Sequence, residues 1–208
     1  MRLRDHVVRL ASGAPHGSRP AAAVLMLVVA VASLTSGLGE APGVLMWQRD
    51  ALASGEFWRL LSGHAVHLNA QHLLMNLVGL GLLTELLCER LEAAGFVSLL
   101  LASALGVGLL LWLLEPQLRW YAGLSGVLHG LWAGAASLNW LRDRRWIDLL
   151  ALSALAVKLA GASPLDAGIP VVVEAHWYGA LSGLLWLALR LALRLALQRA
   201  YQQRAIFD

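Results

Sequence analysis

The sequence predicts an all-α membrane protein: six transmembrane helices bundled as one domain over residues 1–208, with both termini in the cytoplasm. The first observation is composition, 59% hydrophobic and 14% charged with a mean hydropathy of +0.66. Soluble domains carry roughly a quarter charged residues. The second is segmentation. Six apolar stretches lie near 21–38, 68–88, 94–114, 122–141, 146–162 and 172–195. Each is close to the twenty or so residues needed to cross about 30 Å of hydrocarbon, the fifth being short. The third is charge. With the N-terminus inside, alternation of the segments puts twelve of the sixteen basic residues on the cytoplasmic side. Only Arg49, Arg59, Arg119 and Lys158 fall outside, a clear positive-inside bias.

In chain order, a basic stretch at 1–20 (MRLRDHVVRLASGAPHGSRP) precedes the first segment. That pairing has the look of a secretory leader, but no convincing A-x-A cleavage site follows it, so the segment is read as a retained helix. A connection at 39–67 leads to segment two. Short links at 89–92, 115–119 and 142–145 separate segments two to five. A Pro/Gly loop at 161–171 (GASPLDAGIPV) precedes the sixth, and 196–208 forms a basic cytoplasmic tail. Segments two, four and six therefore all run from the outer face inward. A pI near 9.6 would suggest nucleic acid in a soluble chain. Here the arginines sit mostly between apolar runs, orientation accounts for them, and no nucleic-acid partner is expected. The single cysteine, Cys88, permits no intrachain disulfide and no Cys/His zinc spacing. It is read as a packing residue.

Polar groups inside a membrane are costly and need an explanation. HAVHLNAQHLLMN, which leads into and opens segment two, carries His64, His67, His72 and Asn76, with His72 and Asn76 four apart on one helix face. Segment four opens with Ser125 and His129, also four apart, in YAGLSGVLHG. Among the Ser-Gly pairs of the chain, only Ser125 has a glycine two positions earlier, Gly123. Segment six opens VVVEAHWYGALSG, with His176 near its start. From the helical rise, Ser125 stands about 26 Å above Arg142, His176 about 21 Å above Arg190 and Asn76 about 20 Å above Glu89. Three helices thus bring polar groups to a similar level in the outer half of the bilayer.

Gly126, Gly130 and Gly134 on segment four, and Gly179 and Gly183 on segment six, recur every four residues. Such small-residue faces let two backbones approach closely. That approach would bring the Ser125 hydroxyl within reach of His176, pairing a nucleophile with a base. Glu174, two residues before His176, points to another face and is not enlisted. Metal binding by the histidines is disfavoured, since no HExxH and no carboxylate at helical spacing accompanies them. No cofactor is expected.

These motifs resemble the rhomboid family of intramembrane serine proteases. WRLLSGHAVHLNAQHLLMN (58–76) is similar to the family's WR motif and HxxxxHxxxN pattern, with His67, His72 and Asn76 at matching positions. AGLSGVLHG carries the GxSG with Gly123 and Ser125, and AHWYGALSG (175–183) matches AHxxGxxxG with His176, Gly179 and Gly183. The details look most like the rhombosortase branch, bacterial enzymes with a bare six-helix core and a histidine four residues after the serine.

The resemblance implies a Ser125–His176 dyad with no third carboxylate. It implies oxyanion donors in His72, Asn76 and the Ser125 backbone N–H, one such donor being worth about 3–4 kcal/mol in a transition state. A plain interhelical tie is the alternative for His72 and Asn76. His67 matches a position that shapes the outer loop. His129 stands where most rhomboids stack a tyrosine on the catalytic histidine. It is either the working base or a packing partner of His176, and packing is favoured because AHWYGALSG gives His176 the base position. The implied activity is endoproteolysis in the bacterial cytoplasmic (inner) membrane. The implied substrates are membrane-anchored proteins with a C-terminal tail: a glycine-containing motif, one apolar helix and a basic cluster. Two other readings are an inactive rhomboid-like protein that binds membrane clients, and a small transporter with a histidine relay. Inactive relatives usually lack the serine or the histidine, and a transporter leaves the GxSG and AHxxG motifs unexplained.

Overall fold

A computed structural model describes residues 17–36, 38, 43–161 and 172–207. The basic stretch before Gly17 and nearly all of the 161–171 loop lie outside them. The elements are α1 (Ser18–Thr35), β1 (Trp47–Gln48), the short helices α2 (Arg49–Ala53) and α3 (Arg59–Ser62), and α4 (Ala70–Leu83), extended by a π-helical turn at Thr84–Cys88. There follow α5 (Ala93–Leu114), β2 (Trp120–Tyr121), α6 (Ser125–Asp143), α7 (Trp146–Leu159) and α8 (Val173–Phe207). Each long helix coincides with an apolar segment to within a few residues, α8 excepted. It runs on through the basic stretch after residue 195, because LALQRAYQQRA has no glycine or proline to stop it and is rich in helix formers.

Among the described residues, four helices are both long and apolar enough to cross a membrane: Ser18–Thr35, Ala70–Cys88, Ala93–Leu114 and the Val173–Gln203 part of α8. The other two long helices differ for identifiable reasons. Helix α7 has 14 residues and reaches only about 21 Å. Helix α6 is long enough but gives up hydropathy to Ser125, His129, Asn139, Arg142 and Asp143.

The described part of the 39–67 connection, from Gly43 onward, is structured rather than a plain link. β1 pairs antiparallel with β2, Trp47 opposite Tyr121 and Gln48 opposite Trp120. Two arginines that the charge count places outside have structural partners here. Arg49 donates to the carbonyls of Leu111, Trp112, Glu115 and Leu118 at 2.7–2.9 Å. These carbonyls lie in the last turn of α5 and just beyond it, and those of Leu111 and Glu115 also accept the backbone N–H groups of Glu115 and Leu118. Arg59, buried, donates to the Glu56 carboxylate and to the carbonyls of Gly43 and Met46. The ribbon and these arginines hold the loop against the end of the bundle where α6 begins.

At the core, α6 packs most extensively against α8, with α5 across both. Buried Leu99, Val127, Leu131 and Ala135 fill the space between the helices. At the opposite end of α6, charged groups tie three elements together. Arg145 makes two hydrogen bonds to the buried Asp148 of α7 and lies 3.5 Å from Glu89, while Arg90 pairs with Asp143.

Candidate active site

The site is assembled at the start of α6. Gly123 has φ +121°, a conformation that side-chain-bearing residues rarely adopt. Its N–H donates to the Gly63 carbonyl at 3.0 Å, and its own carbonyl accepts the Tyr121 hydroxyl at 2.8 Å. A Cβ on Gly123 would also lie 2.6 Å from His72 Cε1. Glycine is needed there for the turn and for the close approach of the His72 ring. After this turn Ser125 is the first residue of α6. First-turn N–H groups have no intrahelical acceptor, and the helix dipole is positive at that end.

Helix α8 meets this turn almost backbone to backbone. A Cβ on Gly179 would collide with the Gly126 carbonyl, and one on Gly183 with the Gly130 carbonyl. One on Gly126 would lie 2.8 Å from the Ala175 carbonyl oxygen. The expected small-residue contact is therefore present. It carries His176, in the first turn of α8, to 3.1 Å between Nε2 and Ser125 Oγ. With the hydroxyl donating, the imidazole proton sits on Nδ1.

His129 lies one turn along α6. Its Nδ1–H donates to the Ser125 carbonyl at 2.7 Å. Its ring stacks on His176, with centroids 4.0 Å apart and planes 12° from parallel. Across from them, Asn69 caps α4 by accepting the His72 N–H at 2.8 Å, which starts the helix so that His72 and Asn76 face the same side. Asn76 is buried, and neither its Nδ2 nor His72 Nδ1 makes a hydrogen bond among the described residues. A buried donor left in that state carries a desolvation cost that a ligand acceptor would relieve.

Ser125, His129, His176, His72 and Asn76 all line one cavity of about 1150 Å³. Its flanks are apolar, with Leu74, Val78, Leu82 and Leu86 on the α4 side and Ile147, Leu150 and Ala154 on the α7 side. A hydroxyl hydrogen-bonded to an imidazole, with the idle Asn76 amide donor lining the same cavity, is suited to attack on a carbonyl and stabilisation of the resulting oxyanion. The apolar flanks suit a hydrophobic segment arriving from the side.

The remaining residues singled out in the sequence do not line the cavity. His67 is buried and meets the His72 ring edge-on at 4.9 Å. His64 is buried with Nε2 3.0 Å from the Ala104 carbonyl. Glu174 is exposed, and Cys88 is buried in the core. Sequence reasoning missed Tyr121, although it opens the GxSG segment, and Ser33, which no motif marks.

The fold and the site define a multi-pass helical membrane protein in which a serine and a histidine share an apolar, laterally flanked cavity. The chain matches the rhomboid domain over residues 54–193, about two-thirds of its length, and belongs to the rhomboid family. That membership brings intramembrane serine proteolysis of membrane proteins as its general activity.

Proposed function

We propose that the protein is an intramembrane endopeptidase that works through a Ser125–His176 dyad. The single observation carrying this reading is the 3.1 Å approach of His176 Nε2 to Ser125 Oγ inside the cavity. Ser125 Oγ attacks the scissile carbonyl carbon while its proton passes to His176 Nε2. The oxyanion is met by Asn76 Nδ2, His72 and the Ser125 N–H. Collapse expels the amine, which takes the proton back from His176. Water then hydrolyses the ester by the same exchange in reverse order. Packing holds His176 where a third carboxylate would otherwise orient it.

The substrate reaches Ser125 laterally, between α4 and α7, as one transmembrane segment of another protein. A helix must unwind before its carbonyl can meet the serine, and glycine lowers the cost of unwinding. The stacked His129–His176 pair and the GLSGVLHG segment favour the rhombosortase branch. The substrates on this reading are secreted bacterial proteins with a Gly-Gly-type C-terminal sorting tail, processed at the inner membrane. Six spans, with both termini cytoplasmic, complete the reading; its support is the charge partition. A serine-reactive fluorophosphonate tests the mechanism. The protease is labelled at Ser125 and cleaves a fusion bearing such a tail. A protein that only binds membrane clients does neither.

A further inference from the structure

One buried hydroxyl on α1 touches the site without belonging to any of its motifs. Ser33 is 1% exposed, and its Oγ lies 3.0 Å from the Ala65 carbonyl oxygen and 3.0 Å from His67 Nδ1. A carbonyl can only accept, so the single Ser33 hydroxyl hydrogen goes to Ala65. The oxygen is then left to accept, and the proton between Ser33 and His67 belongs to His67 Nδ1. In neutral imidazole this leaves Nε2 bare. His67 Nε2 faces the Leu124 N–H at 3.4 Å, a long hydrogen bond that only the bare nitrogen can accept. Leu124 caps α6 immediately before Ser125. The same ring also meets the His72 ring in an edge contact, with centroids 4.9 Å apart and planes at 75°.

We infer that Ser33 is a positioning residue: by fixing His67 as the Nδ1–H tautomer, it holds the Leu124 N–H and the His72 ring, and through them the nucleophile and the oxyanion site. The chain Ser33–His67–Leu124 links α1 to the start of α6 by side chains that never enter the cavity. Its members do not touch the substrate. They set where Ser125 and His72 stand. Without Ser33, the His67 Nδ1–H loses its acceptor at a site 3% exposed. The ring then gains by turning over, which withdraws the acceptor from Leu124.

This inference rests on the Ser125 nucleophile proposed above, and the test separates the two. The full chain in detergent is treated with a fluorophosphonate, and labelling at Ser125 is followed with time and concentration, alongside ¹⁵N spectra of the histidine rings. His67 is expected as the Nδ1–H tautomer in the wild type. S33A should slow the maximal labelling rate by about tenfold, the worth of one or two lost hydrogen bonds, with half-saturation changed less than about twofold. It should also shift the His67 ring signals, and S33T should restore both. In the H67A background, S33A should add almost nothing. Wild-type labelling by S33A, effects that multiply in full in the double variant, or an Nε2–H tautomer in the wild type would overturn the inference. Should S33A lose its folded state, S33C, nearly isosteric with a weaker acceptor, takes its place in the same comparison. A wild type that is not labelled at all sinks the nucleophile reading, and the ring spectra of S33A then decide the tautomer alone.

Discussion

The Gly126 carbonyl lies against Gly179 so closely that no side chain fits between them. This contact, one turn from His176, sets the separation of α6 and α8 and hence the distance from base to hydroxyl. Gly179→Ala should push the helices apart, with a cost of about 1–3 kcal/mol for overpacking. The expected outcome is a lower Tm in detergent together with a loss of cleavage larger than the stability change explains. Gly43→Ala is the control, since a Cβ there meets nothing within 4 Å, and it should change neither. Full activity in Gly179→Ala would mean that the close contact serves packing alone.

The Ser125–His176 pair makes a sharper prediction. Ser125→Ala should remove cleavage and fluorophosphonate labelling while leaving the protein folded, because the side chain is small and only partly buried. His176→Ala should reduce turnover by roughly 10²–10⁴, the usual worth of a positioned general base. A variant of either kind that still cleaves a membrane-tethered substrate at a substantial rate refutes the proposed mechanism.

How far the sequence disclosed this arrangement depended on the kind of signal. The long helices were legible because apolar runs of twenty residues have few other uses, and the α6–α8 contact because glycines recurred every four positions. His72, Asn76, Ser125 and His176 were legible because polar groups at matched depth on three helices stand out against a greasy background. The 39–67 connection was not. Helices of four and five residues leave no period to read, and its ordering comes from Arg59 and the Trp47–Tyr121 pairing, which are long-range contacts. Ser33 was invisible for a simpler reason: a lone serine in an apolar helix usually bonds its own backbone. Only the fold brings it to His67. The helical continuation of α8 beyond residue 195 follows from local sequence, since nothing in LALQRAYQQRA breaks a helix.

The Asn76 amide and the His72 ring, which line the same cavity as Ser125, predict a kinetic signature. Asn76→Ala and His72→Ala should each lower kcat, by about 10²–10³ if the donor meets the developing oxyanion, with KM nearly unchanged. Asn76→Asp keeps the shape but replaces the donor with an acceptor, and should be at least as damaging. Effects confined to KM, or to Tm alone, would reassign these residues to interhelical packing.

The last prediction concerns His129, which has two chemically distinct roles open to it. A working base must take the Ser125 proton, whereas a packing partner must hold His176 in place. Its Nδ1–H is directed to the Ser125 carbonyl oxygen at 2.7 Å, and its ring is stacked on His176 at 4.0 Å, nearly parallel. Both contacts are those of a platform: one anchors the ring to its own helix, and the other supports the imidazole that meets Oγ. A tyrosine ring can supply the platform but not the base. His129→Tyr should therefore keep measurable cleavage and labelling, while His176→Tyr keeps none. His129→Ala should fall between them, losing about two- to tenfold in kcat, since ring stacking is worth about 0.5–1.5 kcal/mol. If His129→Tyr were dead and His176→Tyr active, the proton would be travelling to the histidine on the serine's own helix. The 3.1 Å contact with His176 would then be structural.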